Sequence, residues 1–529
     1  MNLLGIVAAA IALVPAPREQ AWREGTCAFA EKDIRYVRDA ALPPEGYRLD
    51  ITPDGITVAS ADDAGAFYAR KTLKQLAGSG ASGTSSPTIP CGTVTDSPAF
   101  KWRGILLDEC RHFFGKEAVK QLIDIASEHK YNVFHWHLMD DEGWRVESKA
   151  FPDLVKYGAV RPKSQCHGSD HDPNHVRYND MPYGPFFYTR EDLRDVVAYA
   201  AERHMAVMPE VEFPAHARAA LAAYPQLSCR GFIEPRTPRC IWGGEKEVFC
   251  AGNDETIRFL ERLIDEMCEI FPFAYVHIGG DECPKDRWRE CPKCQKRIRD
   301  LGLGDEEGLQ KWMTRHFTDY LAKKGRHAVG WDEILSAGVP QGTVVMSWRG
   351  ATGGIEAAKA GSDVIMTPNT HCYLDYRQGL SEDPFQYIGG PNGRYVTLEK
   401  AYSFDPCEGI PESGRAHVLG GQANCWSEYT WNEYDLAWKT WPRACAIAEA
   451  LWTAPAAPRD FADFSRRMAV HRKRLVAAYV NCAPISEKEL IVESATSPSV
   501  PCEFDERVIT KVSLKNATKT TVSTSQQEK

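Results

Sequence analysis

Residues 274–283 read Ala274-Tyr-Val-His-Ile-Gly-Gly-Asp-Glu-Cys283, an apolar run that empties through two glycines into adjacent acids, Asp281 and Glu282. A short apolar run bounded by such a turn has the pattern of a buried strand. Two neighbouring carboxylates at its end point to chemistry. Burying one unpaired carboxylate is costly, and crowding two raises at least one pKa, so a fold keeps such a pair mainly where a raised pKa is useful. An isolated Asp-Glu is more ordinarily a helix N-cap with a first-turn acid. The preceding glycines and the aromatic surroundings set this pair apart.

Moving outward, seven more short apolar runs alternate with helical segments: Gly104-Ile-Leu-Leu-Asp, Asn132-Val-Phe-His-Trp-His, Met205-Ala-Val-Met-Pro, Ala328-Val-Gly-Trp, Thr343-Val-Val-Met-Ser-Trp, Asp363-Val-Ile-Met and His417-Val-Leu-Gly-Gly. Helices are expected between them, as at 116–130 and 189–203. Eight such β/α units make an α/β fold of the (β/α)8 TIM-barrel type over 98–480, whose active site lies at the carboxyl ends of the strands. A small α/β domain over 14–97 precedes it. There Tyr47–Thr52 and Ile56–Ala59 read as strands around a Pro53-Asp-Gly55 turn, followed by a helix to about Leu76 and a Gly/Ser-rich loop from Gly78 to Pro87. After Pro455 a helical segment runs to about Tyr479, and 481–529 reads as a tail or appendage.

The 529 residues carry a net charge of −9, which gives no basic footprint for nucleic acid. Neutral small molecules or polymers are the expected partners. Fourteen Trp and twenty Tyr suit the apolar faces of sugar rings, although such residues also fill cores. Residues 1–13 form an apolar run like that of a signal peptide, without a preceding Lys or Arg, so export is expected. Leu13-Val-Pro-Ala-Pro also reads as the start of a strand. No later run is long enough to cross a bilayer. Among seventeen Cys, Cys291-Pro-Lys-Cys294 with Cys283 upstream shows no evident fourth zinc ligand and reads as a structural disulfide or free thiols. Cys229, Cys240 and Cys250 read as sources of another loop bridge. His135-x-His137 with Asp140, Glu210 and His216 supplies a rival reading, a metal-dependent barrel hydrolase.

A two-carboxylate glycosidase needs its two groups on opposite sides of the scissile bond, roughly 5 Å or more apart. Adjacent Asp281 and Glu282 do not suit that division. The alternative is that Glu282 protonates the leaving oxygen while Asp281 orients a nucleophile belonging to the substrate, such as the carbonyl of a 2-acetamido group. Glu282 then needs a raised pKa.

The His277-Ile-Gly-Gly-Asp-Glu282 run resembles the signature of family 20 glycoside hydrolases, the β-N-acetylhexosaminidases. The resemblance recurs in that family's order at Asp108-Glu-Cys-Arg-His-Phe113, His135-Trp-His-Leu-Met-Asp-Asp141, Gly330-Trp-Asp-Glu333, Tyr373-Leu-Asp375 and Trp426-Ser-Glu428. It implies that Arg111, Asp375 and Glu428 bind the sugar's outer hydroxyls. It implies that Trp331, Trp348 and Trp426 wall the acetamide pocket, with Trp426 under the pyranose ring, and that Tyr373 donates to the acetamide oxygen. Asp140 and His216 resemble a supporting pair, with His216 contacting Glu282; His277 reads as structural. The implied substrate is a glycan ending in β-linked N-acetylglucosamine or N-acetylgalactosamine, cleaved from the end with retention through an oxazolinium, without cofactor or metal. A disaccharide-releasing member, of the lacto-N-biosidase kind, and a sugar-binding protein without turnover are the remaining rivals.

Overall fold

The structure is a computed structural model that describes residues 11–78, 87–167, 176–336, 338, 341–379, 394–453 and 459–486. Most of the expected apolar leader, nearly all of the Gly/Ser-rich loop and all but six residues of the expected tail lie outside these.

Eight parallel strands close a barrel. In chain order after the five strands of the first domain they are β6 (Trp102–Asp108), β7 (Val133–His137), β8 (Ala206–Phe213), β9 (Tyr275–Gly279), β10 (His327–Trp331), β11 (Thr343–Ser347), β12 (Val364–Met366) and β13 (Val418–Cys425). Each strand pairs with the next, and β13 closes the ring on β6. Helices on the outside and side chains within bury both faces, which is why these runs are apolar almost without alternation. Helix Lys116–Glu128 follows β6 and helix Arg190–Ala201 follows β7, as expected, and Phe461–Ala477 lies toward the end of the chain.

Two strands run further than their apolar runs suggest. β8 continues past Pro209 to Phe213, and β13 continues past Gly421 to Cys425. The extensions contain Glu210, Glu212, Gln422 and Asn424, polar residues that end the apolar pattern but are buried and hydrogen-bonded inside the barrel.

The first domain is a five-stranded sheet, ordered β1 (Glu19–Ala28), β5 (Thr88–Asp96), β3 (Tyr47–Thr52), β4 (Gly55–Ser60), β2 (Ile34–Arg38). Helix Asp63–Ala77 covers it, capped by the Asp62 carboxylate, which accepts from the Gly65 N–H. Leu49, Ile51, Val58, Tyr68, Leu73 and Val94 form its core. β1, β2 and β5 were not evident in the sequence; β1 and β2 lie mostly exposed, so polar residues are mixed with apolar ones along them. Leu13 and Val14 begin no strand. They are buried coil: Val14 exchanges two hydrogen bonds with the Gln75 amide, and Arg467 donates to the Leu13 carbonyl at 2.7 Å.

The two domains are joined by a charged contact. Lys130 Nζ lies 2.8 Å from the Asp96 carboxylate, both buried, and the Trp452 indole N–H donates to the same carboxylate at 2.8 Å. The Lys130 ammonium also sits 4.3 Å from the Trp452 ring centre, a cation–π distance.

Candidate active site

The site is built on a buried charge network inside the carboxyl end of the barrel. Glu210, on β8, accepts from the Trp331 indole at 2.8 Å and lies 3.1 Å from His135 Nε2 and 2.8 Å from His277 Nδ1; His137 Nδ1 bonds its other side. Burial alone would raise the Glu210 pKa, but the imidazoles hold it well below the usual range. Burial pulls His137 down, yet Glu210 and Asp140 override it and hold its pKa at about 10. Both nitrogens of His137 meet carboxylates, Glu210 and Asp140, so the His-x-His pattern lies within a buried carboxylate–imidazole core of the barrel.

Arg111, three residues past β6, carries this network to the rim. Its guanidinium lies 2.9 Å from Asp140, 2.9 Å from Glu142 and 3.2 Å from Asp108, and reaches Glu428 at 3.7 Å. Asp108 also accepts from the backbone N–H groups of Cys110 and Ser427, tying the first and last strand ends together. Asp140 accepts from His137 Nε2 at 2.8 Å and from His216 Nδ1 at 2.9 Å. The opposite nitrogen of His216 then faces the acidic pair, 3.4 Å from Asp281 and 3.7 Å from Glu282. Burial would lower the His216 pKa, but Asp140 and Asp281 hold it well above the usual range.

The two acids point differently. Gly279 and Gly280 take φ of +63° and +100°, and Glu282 itself takes +43°. This turn leaves the Asp281 side chain 16% exposed and the Glu282 side chain 52% exposed. Burial raises the Asp281 pKa, opposed by His216. The His216 hydrogen bond holds the Glu282 carboxyl below its usual range, against burial. The expected raised pKa is therefore found at Asp281, where burial prevails, and not at Glu282, where the His216 hydrogen bond prevails over burial.

Aromatic residues line the opposite side. Trp331 and Trp426 stand 5.9 Å apart by ring centres, Tyr373 and Trp426 6.2 Å apart, and Trp348 stacks on Tyr373 at 5.9 Å with planes 18° apart. Trp348 is held by the Glu333 carboxylate, which accepts its indole N–H at 3.0 Å. Burial pushes Glu333 up to about 8, with Asp281 and Asp332 adding to it. Asp375 is also pushed up to about 8, by burial and then by Glu428. Among the described residues, Asp281 Oδ1 and Asp375 Oδ1 are buried without a hydrogen-bond partner. Buried oxygens of that kind are costly unless a ligand supplies the donor.

All eleven residues expected at the site sit on this rim. Glu142 carries the network without having been singled out as a site residue, and Glu210, expected only in the rival metal site, is its hub. Glu142 follows directly on Asp140-Asp141, and burial raises its pKa to about 8. Of the two readings of Cys291 and Cys294, free thiols agree with the structure and a disulfide does not. The loop bridge expected of Cys229, Cys240 and Cys250 is absent; instead Cys229 and Cys250 bring two further sulfurs to Cys291 and Cys294.

Both domains resemble known proteins in sequence and fold. The description "Glycosyl hydrolase family 20, catalytic domain" matches residues 100–455, and "Glycosyl hydrolase family 20, domain 2" matches 16–97. A beta-hexosaminidase of Porphyromonas gingivalis is 44% identical over 438 residues, covering 81% of this chain and 54% of the relative, so the chain spans about half of that protein's length. A beta-hexosaminidase of Akkermansia muciniphila is 32% identical, covering 88% of this chain and 91% of the relative. A crystal structure of a beta-N-acetylhexosaminidase superposes with a TM-score of 0.79 at 31% identity, over 90% of this chain and 97% of the other. A Vibrio harveyi GH20 exo beta-N-acetylglucosaminidase in complex with N-acetylglucosamine gives 0.78 at 29% identity, over 90% and 78%. With its barrel, its small leading domain and its Asp281–Glu282 strand end, the chain belongs to glycosyl hydrolase family 20 and is a glycoside hydrolase.

Proposed function

We propose that the chain hydrolyses terminal, non-reducing β-linked N-acetylhexosamine, N-acetylglucosamine foremost, with retention through an oxazolinium formed by the substrate's own acetamide. The carrying observation is that Asp281 Oδ1 is buried and, among the described residues, unpartnered, and that the carboxylate lies near enough to Tyr373 and Glu333 for its charge to act on both, while its neighbour Glu282 is more exposed. Two adjacent acids at such different depths cannot flank one glycosidic bond, but they suit an acid that meets the leaving oxygen beside a carboxylate that meets the acetamide N–H.

In this reading Asp281 Oδ1 accepts from the acetamide N–H, and Tyr373 donates to its oxygen, so the carbonyl is aligned on the anomeric carbon. Charge growing on the acetamide is balanced by the Asp281 carboxylate. Trp331, Trp348 and Trp426 exclude water from the acetamide and the ring face. Glu282 gives its proton to the departing oxygen and then takes one from the incoming water. Sugar seated against it strips its solvent, and that desolvation raises a pKa which His216 lowers in the free enzyme. Arg111, Asp375 and Glu428 hold the outer hydroxyls, and with them the pocket ends one sugar deep.

Hydrolysis of an aryl β-N-acetylglucosaminide alongside the matching aryl β-glucoside tests this. Cleavage of the acetamido sugar alone is expected. Equal cleavage of both sugars would remove the need for the acetamide, and release only of disaccharides would favour the disaccharide-releasing reading. We also propose that residues 1–10 contain an export signal cut before Ala12, since Ala12–Val14 are buried. The mass of the secreted chain's N-terminus checks it; a retained Met1 overturns it.

A further inference from the structure

Away from the sugar site, four cysteine sulfurs meet between the loops that leave β8 and β9. Cys229 follows the turn Pro225–Leu227, Cys250 lies just before helix Asp254–Ile270, and Cys291 and Cys294 open helix Pro292–Leu301. Sγ–Sγ distances are 3.8 Å for Cys229–Cys294, 3.7 Å for Cys250–Cys291 and 3.7 Å for Cys250–Cys294, and all four sulfurs lie within 4.8 Å of one another. A tetrahedron of sulfurs about 2.3 Å from a central zinc has edges of about 3.8 Å. A disulfide needs its sulfurs about 2.05 Å apart, and none of the four is bonded.

We propose that Cys229, Cys250, Cys291 and Cys294 bind a structural zinc ion as a closed four-thiolate site.

The surroundings are shaped for the cluster. Gly252 brings its backbone so close to the Cys291–Cys294 knuckle that a Cβ there would fall 2.2 Å from the Cys294 nitrogen. The Cys250 N–H donates to the Leu227 carbonyl at 2.9 Å, and the Trp288 indole to the Phe249 carbonyl at 2.9 Å, fixing the Cys250 loop on both sides. Cys291 and Cys294 stand at the start of a ten-residue helix whose amide dipoles favour thiolate. Zn2+ would enter as four thiols give up their protons, leaving a site of net charge −2. With every position taken by sulfur, no place is left for water or substrate, so the ion is a clamp and not a reagent. It joins the segment that follows Glu282 to the one that follows His216. Tetrahedral sulfur also suits iron, so the identity of the metal is part of the test.

Elemental analysis of the purified full chain, dialysed without chelator, is expected to find about one zinc per molecule. Cys250→Ser should lose it, while Cys240→Ser, outside the cluster, should keep it. Because Cys250→Ser can fail to fold, the wild-type chain is also stripped and reloaded with Co2+, whose four-thiolate complex shows intense visible bands and sulfur-to-metal charge transfer. Stoichiometric iron, two disulfides by non-reducing mass spectrometry, or four free thiols that take up neither zinc nor cobalt would each overturn the proposal. A chelator that inactivates only slowly, in step with a falling Tm, reports the clamp; instant inhibition of a fully folded chain reports a catalytic metal instead.

Discussion

Glu282 is an acid displayed to solvent and restrained by its neighbour. Replacing it with Gln removes the proton donor, so substrates with poor leaving groups should lose about 10²–10⁴-fold in kcat/KM, while activated aryl glycosides lose far less. Equal losses on both would undo its role. His216 sets the pH at which this acid works. Its cation favours the charged carboxylate, so His216→Asn should raise the Glu282 pKa and move the alkaline limb of kcat/KM to higher pH; a limb that stays put or moves down contradicts the contact seen at 3.7 Å. The place of Asp281 and Glu282 at a strand end was legible in the sequence because strand, glycines and acids are contiguous. The network beneath it was legible only in part. The sequence brought Glu210 together with His135 and His137, but that it also gathers nitrogens from 277 and 331 is shown only by the register of the barrel strands. The cysteine tetrad was hidden for the same reason: 65 residues separate Cys229 from Cys294, and only one pair has a recognisable spacing.

At the level of the element, the turn after β9 does most to place the chemistry. A Cβ on Gly279 would fall 1.8 Å from the Glu212 carboxylate, and its φ of +63° disfavours any side chain. Gly279→Ala should therefore cost at least about 1–3 kcal/mol in backbone strain alone, before the clash is relieved, and should depress kcat as the acids shift. Denaturant unfolding together with kinetics checks both; an unchanged midpoint would mean that the turn is soft. All eight barrel strands were recoverable from apolar runs, because burial on both faces leaves few other patterns. Where strands carry buried polar residues with partners, as at Glu210 and Gln422, the pattern ends before the strand does. Exposed β1 and β2 have no apolar pattern to follow.

Across the whole molecule, the Lys130–Asp96 pair joins the two domains and is out of water on both sides. Asp96→Ala leaves the ammonium buried beside Trp452 with no counter-charge, which should cost about 3–5 kcal/mol and separate the unfolding of the two domains. A calorimetric trace that remains a single, unshifted transition would show that the domains are coupled elsewhere. The barrel's closure carries another consequence. The Asp108 carboxylate accepts from the Ser427 backbone, and His112 bonds the same residue across 315 positions of chain. During synthesis, the motifs at 108–113, 135–141 and 277–282 leave the ribosome long before Trp426 and Glu428. A nascent chain thus carries Asp281 and Glu282 through about 144 further residues of synthesis before Trp426 is present, and messages cut short upstream of Trp426 are expected to yield products without glycosidase activity.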